Sequence, residues 1–227
     1  MNDDFLMHRH PLIKGELLDA YLANGWYRYG AHIFTIKTFS EAGREYDVHW
    51  LRYNVDKIDL KSEHQKIITA NSSFHIVIKP FVLNQEIEDL HDLYYDSIDF
   101  MTTRTIRDLL EDDERSVFDT YMIEIRDNGL LIAAGIFDAG AESIAGIKNI
   151  FHPAYRKYAL GKMLMLLKYR FCKRTGLKWY YPGYIAPGFK KFDYKLFLDK
   201  RATEVFDTEN KNWIRFSAFK QQNGITL

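Results

Sequence analysis

Residues 143–185 read SIAGIKNIFHPAYRKYALGKMLMLLKYRFCKRTGLKWYYPGYI. SIAGIKNIF is apolar and partly β-branched, as a strand should be. Tyr158 to Thr175 is a long apolar helix that stops at Gly176, a favourable C-cap. LKWYYPGYI then resumes a strand pattern. Because a crossover helix joins them, the second strand is expected to lie parallel to the first.

Upstream, VFDTYMIEIR and LLIAAGIFD flank Asp127-Asn128-Gly129, a strong hairpin turn. With SIAGIKNIF they form three consecutive antiparallel strands. FHIVIKP is an earlier strand that ends at Pro80. NQEIEDLHDLYYDSI follows with Ile87, Leu90, Leu93, Tyr94 and Ile98 on one helical stripe, and a second helix is expected around Thr102 to Asp112. Nearer the N-terminus, Lys14 to Asn24 is a helix halted at Asn24-Gly25, WYRYGAHIFTIKTF and REYDVHWLRYNV are strands, and KSEHQKIITAN is a short helix with Ser62 as its cap. NWIRFSAF is read as a last strand. The fold class is α+β: a mixed, mostly antiparallel sheet with helices on both faces, plus a smaller N-terminal α/β region. The expected division is 1–72 and 73–227.

The chain has 227 residues, 47% of them hydrophobic, and equal numbers of basic and acidic side chains, 31 of each. That composition excludes disorder as a description of the whole chain. A single cysteine, Cys172, excludes an internal disulfide scaffold and fits a reducing, cytoplasmic setting. It sits beside Phe171 as a core residue. The densest apolar run, Met163 to Leu167, is too short to span a bilayer, and MNDDFLMHRHPLIKGE lacks a signal-peptide core. No metal site is expected, since His8 and His10 have no further ligand at suitable spacing. Charge is unevenly spread: Asn84 to Asp127 holds 14 acids against four arginines, whereas Arg156 to Lys200 holds 12 basic residues against two aspartates. The basic segment suits phosphate, or both segments are solvated faces.

Arg156-Lys157-Tyr158-Ala159-Leu160-Gly161 has the form R-x-x-A-x-G at the start of the long helix. Small residues there let a ligand approach free N–H groups and the positive dipole end. This loop and element order resemble the GNAT acyltransferase fold, whose pyrophosphate loop is Q/R-x-x-G/A-x-G/A. The resemblance implies that SIAGIKNIF and LKWYYPGYI splay apart and hold the acyl donor between them.

A closer resemblance is to the aminoacyl-tRNA–protein transferases, the arginyl and bacterial leucyl enzymes of the N-degron pathway. It is carried by Ala159-Leu160-Gly161, Tyr180-Tyr181-Pro182-Gly183-Tyr184 and Lys191-Phe192-Asp193-Tyr194-Lys195. Asp138 at the end of LLIAAGIFD, Gly25 to Gly30 with His32-Ile33-Phe34, and Ser62 with Asn71 extend it upstream. The family's cysteine cluster is absent from IKTFSEAGREYDVHW, and SEHQKIITAN carries His64, Gln65 and Lys66 where arginines are usual.

The resemblance implies an enzyme, an arginyl-transferase-like aminoacyltransferase that moves an aminoacyl group from charged tRNA to a protein or peptide N-terminus. Charged tRNA is the co-substrate and no cofactor is needed; acyl-CoA is the alternative donor, and a non-catalytic RNA- or peptide-binding descendant is the other reading. Tyr184 and Tyr181 are the expected hydroxyl donors, and Asp138 the holder of an ammonium group, unless it merely starts a turn. Arg156, Ala159, Leu160, Gly161, Lys191 and Lys195 are the expected donor-binding residues. His152, ahead of Pro153, is either a base or a strand cap.

Overall fold

A computed structural model describes residues 5–9, 12–100, 102–110 and 116–223. In chain order the N-terminal elements are β1 (Phe5–Arg9), α1 (Gly15–Ala23), β2 (Tyr27–Tyr29), β3 (His32–Ile36), β4 (Thr38–Glu41), β5 (Arg44–Asp47), β6 (His49–Asn54) and α2 (Ser62–Ala70). Then come β7 (His75–Pro80), α3 (Gln85–Asp96), α4 (Ile106–Leu110), β8 (Thr120–Asp127), β9 (Leu130–Ala139), β10 (Ser143–Phe151) and α5 (Leu160–Thr175). The chain closes with β11 (Trp179–Ile185), β12 (Thr203–Asp207), β13 (Asn212–Arg215) and α6 (Phe216–Asn223).

Eight strands form the main sheet in the order β13-β12-β6-β11-β10-β9-β8-β7. Every pairing is antiparallel except β10 with β11, which is parallel as its crossover helix requires. This is the mixed α+β, GNAT-like architecture. β6 comes from the N-terminal region yet sits between β12 and β11, so residues on both sides of position 72 share one sheet. β1-β3-β2 and β4-β5 make two small sheets beside it.

The core is layered around the strands. On one face Leu164, Met165 and Leu166 of α5 pack with Tyr53, Phe137, Ile144 and Tyr180. Ile87 and Leu90 of α3 and Ile106 of α4 meet Met122, Ile136 and Ile150. Trp50, Tyr181 and Tyr27 join Leu18 and Leu22 of α1 in a third cluster. Each such side chain stabilises the fold by about 1.5–3 kcal/mol relative to exposure.

Several expected elements differ in detail. Ser62 is the first helical residue of α2, not its cap; Lys61 holds that place, and its N–H donates to His64 Nδ1 at 2.7 Å. The long helix starts at Leu160, because Pro153–Tyr158 forms a 3-10 turn and Ala159 adopts a left-handed φ of 51°. NWIRFSAF is strand only to Arg215. Phe216 and Phe219, three apart, bury one helical face instead. The helix around 102–112 is described as α4 alone, its last two positions lying outside the described residues. The two N-terminal aromatic stretches split into five strands, broken at Gly30 and at Ala42-Gly43, whose φ values are positive. β12, which carries Glu204 and Asp207, is a strand beyond those the sequence pattern predicts.

Candidate active site between two parting strands

β10 and β11 pair at only three positions, Ser143 with Trp179, Ile144 with Tyr180 and Ala145 with Tyr181. Beyond them β10 follows β9 and β11 follows β6. Each strand is bulged where they part, between Gly146 and Lys148 in β10 and between Tyr180 and Gly183 in β11. A bulge bends its strand and raises the local twist, so paired bulges open a gap between neighbours. Gly183, with φ +102°, supplies the backbone that the second bulge needs. The extra residue in β11 also reverses the alternation, which puts Tyr181 and Tyr184 against the same aromatic cluster.

The gap opens into a cavity of about 720 Å³. Its walls come from β2–β4, from β6 at Trp50, from both parting strands and from the 3-10 turn Lys190–Leu196. Aromatic rings dominate, among them Tyr29, Phe39, Phe100, Tyr184 and Phe192. No Asp, Glu or His occurs among the described residues that line it, while Arg28, Lys148, Lys168 and Lys195 do. A low-dielectric chamber with only positive charge favours an anionic or electron-rich occupant.

Each lysine is held differently. Lys168 is buried, and its Nζ donates to the Ile136 carbonyl at 2.8 Å, Asn149 Oδ1 at 2.9 Å and the Lys148 carbonyl at 3.5 Å. It thereby braces the β10 bulge; burial pushes its pKa down to about 7. Lys148 donates to Thr102 Oγ1 at 2.5 Å, and burial pushes it down to about 8. Lys195 donates to the Tyr184 carbonyl at 2.9 Å, with its Nζ 4.2 Å from the Phe192 ring centroid and 4.6 Å from that of Tyr184. Burial, then repulsion from Lys148, pushes Lys195 down to about 7.

Of the residues expected from sequence, Tyr184 and Lys195 line this cavity. Burial pushes the Tyr184 phenol up to about 12, so it stays protonated and able to donate. Tyr181 is 2% exposed and packs edge-on against Trp213 rather than lining the cavity. Asp138 is also sequestered: it is fully buried, 2.9 Å from Arg28 Nη1, and accepts the Thr120 hydroxyl at 2.6 Å. Its position corrects the ammonium-holding expectation, because the carboxylate already has a guanidinium.

The start of α5 lies apart from the cavity. Leu160 is core, Ala159 turns the chain, and a Cβ at Gly161 would meet the Phe151 ring at an ordinary 3.6 Å. α5 contributes Met165 and Lys168 to the lining instead. Arg156 and Lys191 are exposed and converge on one segment: Arg156 Nη2 donates to the Ser97 carbonyl at 3.2 Å, and Lys191 pairs with Asp99. Phe100, the next residue, lines the cavity, so these two cations stand near its rim.

Three further side chains are structural. His152 Nδ1 accepts from Ala154 N–H at 3.2 Å, a cap on the turn. Burial raises the Cys172 thiol to about 12, which leaves it inert. Asn71 Nδ2 donates to the Tyr158 carbonyl at 2.9 Å and ties the end of α2 to the approach of α5. Sequence reasoning missed Arg28, Lys148 and Lys168. The two lysines had a signal, each interrupting an otherwise apolar run.

Comparison with known proteins accords with this arrangement. The chain spans 69% of the aspartate/glutamate leucyltransferase of Leptospira interrogans, with 24% identity over 178 residues, 75% of its own length. The corresponding protein of Rhizobium etli is 33% identical over 91 residues, 37% of this chain and 35% of that one. Among solved structures, FemX superposes with a TM-score of 0.51 at 9% identity, covering 90% of this chain and 70% of FemX, a likeness of fold. No helix among the described residues is long and apolar enough to cross a membrane. The family model for the arginine-tRNA-protein transferase C terminus matches residues 57–202, a span that contains both parting strands, the helix between them and Lys195, and the chain belongs to that family.

Proposed function

We propose that this protein transfers an uncharged, apolar aminoacyl group from charged tRNA to the α-amine of a protein whose first residue is acidic, as an N-degron enzyme of the cytoplasm. The reading rests above all on the cavity between β10 and β11, which is aromatic, carries lysines and has no carboxylate among its described lining residues. An arginyl side chain entering there would meet three lysines and no carboxylate among the described lining residues, and burying an unpaired charge is costly. An apolar side chain would be accommodated by the rings, and an acceptor carboxylate would meet Lys148. The expectation of arginyl transfer is therefore replaced; the relatives matched above carry the leucyltransferase name.

In the reaction the acceptor amine attacks the ester carbonyl that links the amino acid to the ribose. The ester is already activated, so holding amine and carbonyl in register can supply about 7–11 kcal/mol of the barrier. Tyr184, protonated across the physiological range and lining the cavity, would donate to the developing oxyanion. Arg156 and Lys191 would meet acceptor-stem phosphates at the rim, giving binding that weakens steeply with salt. Charged tRNA is then the co-substrate.

The test is transfer to peptides beginning with Asp or Glu. Leucyl-tRNA is expected to be used at least about tenfold better than arginyl-tRNA, a modest demand for rejecting a buried charge. Preference for arginyl-tRNA, or transfer from acyl-CoA with none from tRNA, would overturn the reading. Tyr184→Phe should lower kcat by about 10²-fold with little change in the unfolding midpoint, as the loss of one oxyanion donor does.

A further inference from the structure

The cavity must also manage a proton, because an acceptor α-amine with a pKa of about 7.7–8.0 is largely an ammonium at neutral pH and cannot attack. Carboxylates and imidazoles, the usual bases, are absent from its described lining. The threonines and Asn149 are not basic, and the Arg28 guanidinium offers donors but no acceptor. Tyr94 on α3 and Tyr180 and Tyr184 on β11 are shifted upward by burial, away from ionisation, and Tyr194 on the 3-10 turn, 42% exposed as a residue, is shifted the same way. Only the amino groups remain. The three oxygens around Lys168 occupy all three of its N–H directions. Lys148, on β10, donates to Thr102 and lines the same cavity as Lys195 of the 3-10 turn.

We infer that Lys195 is the proton-carrying catalytic residue of the transfer, with Lys148 a positioning residue in the same cavity. The inference rests on the function proposed above. The Lys195 side chain makes one hydrogen bond, to a carbonyl, and no ion pair among the described residues. The charged side chains lining the cavity with it are Lys148 on β10, Lys168 on α5 and Arg28 on β2; Asp138 neutralises Arg28 and acts on Lys168, and Asp193 sits two residues before Lys195 on the same turn, its own pKa raised by burial. A like charge beside a desolvated lysine favours the free amine, which is how lysine bases are activated. The lowering to about 7 has those same two causes, burial first and Lys148 second.

The protons then balance. Neutral Nζ takes a proton from the acceptor ammonium, and the freed amine lone pair forms the C–N bond while the carbonyl π pair moves onto oxygen. Collapse of that oxyanion breaks the C–O bond to ribose, whose oxygen takes the proton back from Nζ. The surplus proton on the new amide nitrogen passes to Nζ and on to water, so each turnover releases one proton.

The experiment is the pH dependence of kcat and kcat/KM for leucyl-tRNA with an Asp-starting peptide, in wild type, Lys195→Met, Lys195→Arg and Lys148→Met. Lys195→Met and Lys195→Arg should both lose about 10²–10⁴-fold in kcat, the range of general acid–base catalysis, with tRNA binding retained. The arginine variant keeps the charge without a usable lone pair, so its loss separates proton transfer from anion binding. Lys148→Met should move the acid limb of the profile to higher pH, because relief of repulsion makes Lys195 more basic. Wild-type transfer with full kcat in folded Lys195→Arg, or an acid limb unmoved by Lys148→Met, overturns the role of Lys195 alone. A wild type that transfers from no charged tRNA overturns the proposed function, and this role with it.

Discussion

Replacing Arg28 by Met is expected to destabilise the fold by about 3–5 kcal/mol, the usual cost of breaking a buried ion pair from one side. The guanidinium is buried, and four hydrogen bonds from its five N–H groups can be named. Nη1 donates to Asp138 Oδ1 at 2.9 Å and Thr120 Oγ1 at 2.7 Å, Nε donates to the Gly30 carbonyl at 2.9 Å, and Nη2 donates to the Leu110 carbonyl. Its Cζ lies 4.4 Å from the centroid of the Phe118 ring. The methionine would leave the fully buried Asp138 carboxylate without its counter-charge, so that the carboxyl must be protonated or hydrated. Urea unfolding at pH 7 reads the loss as a lower midpoint. Two variants sharpen it. Arg28→Lys keeps the charge but loses the planar fork and should fall between wild type and Met. Adding Asp138→Leu to Arg28→Met should recover part of the loss, since the unpaired carboxylate is then gone. A cost below about 1 kcal/mol for Arg28→Met would show that the pair adds little beyond its own desolvation.

Gly146→Val is expected to lower aminoacyl transfer by at least about 100-fold, in line with the cost of misplacing a reacting group by about an ångström. Gly146 sits in the β10 bulge and lines the cavity, and a Cβ there would come within 3.2 Å of Tyr180 Cε2 and 3.3 Å of its hydroxyl oxygen. Tyr180 is itself buried and cannot swing away without disturbing Tyr53 beside it. The branched side chain therefore has to distort the gap or fill it. Overpacking of this kind costs about 1–3 kcal/mol of stability, much less than unfolding the domain. Activity is thus predicted to fall far more than the fold weakens. Single-turnover transfer and an unfolding curve measured on the same variant separate the two. Near-normal transfer would place the donor outside the gap.

The two cases show which parts of this protein are visible along its chain. The order hairpin strands, crossover helix, parallel strand is written locally, in Asp127-Asn128-Gly129, in the apolar helix and in Gly176, because turns, caps and crossover handedness depend on neighbouring residues. Tyr184 and Lys195 could be named from a short motif for the same reason. NWIRFSAF was misread because aromatic and β-branched residues suit a strand, whereas Phe216 and Phe219 found a better partner in a helix packed on Leu51 and Val205.

Asp138 and Arg28 are 110 positions apart, and nothing along the chain says that one will neutralise the other. Their pairing, the placement of β6 in the middle of the sheet and the collection of Lys148, Lys168 and Lys195 around one cavity arise only when distant segments are brought together. Local order set the strands and helices and the sense in which β11 returns. Which charges lost their water and their counterions, and so which became chemically useful, was decided by tertiary packing, because desolvation depends on everything within a few ångströms regardless of its distance along the sequence.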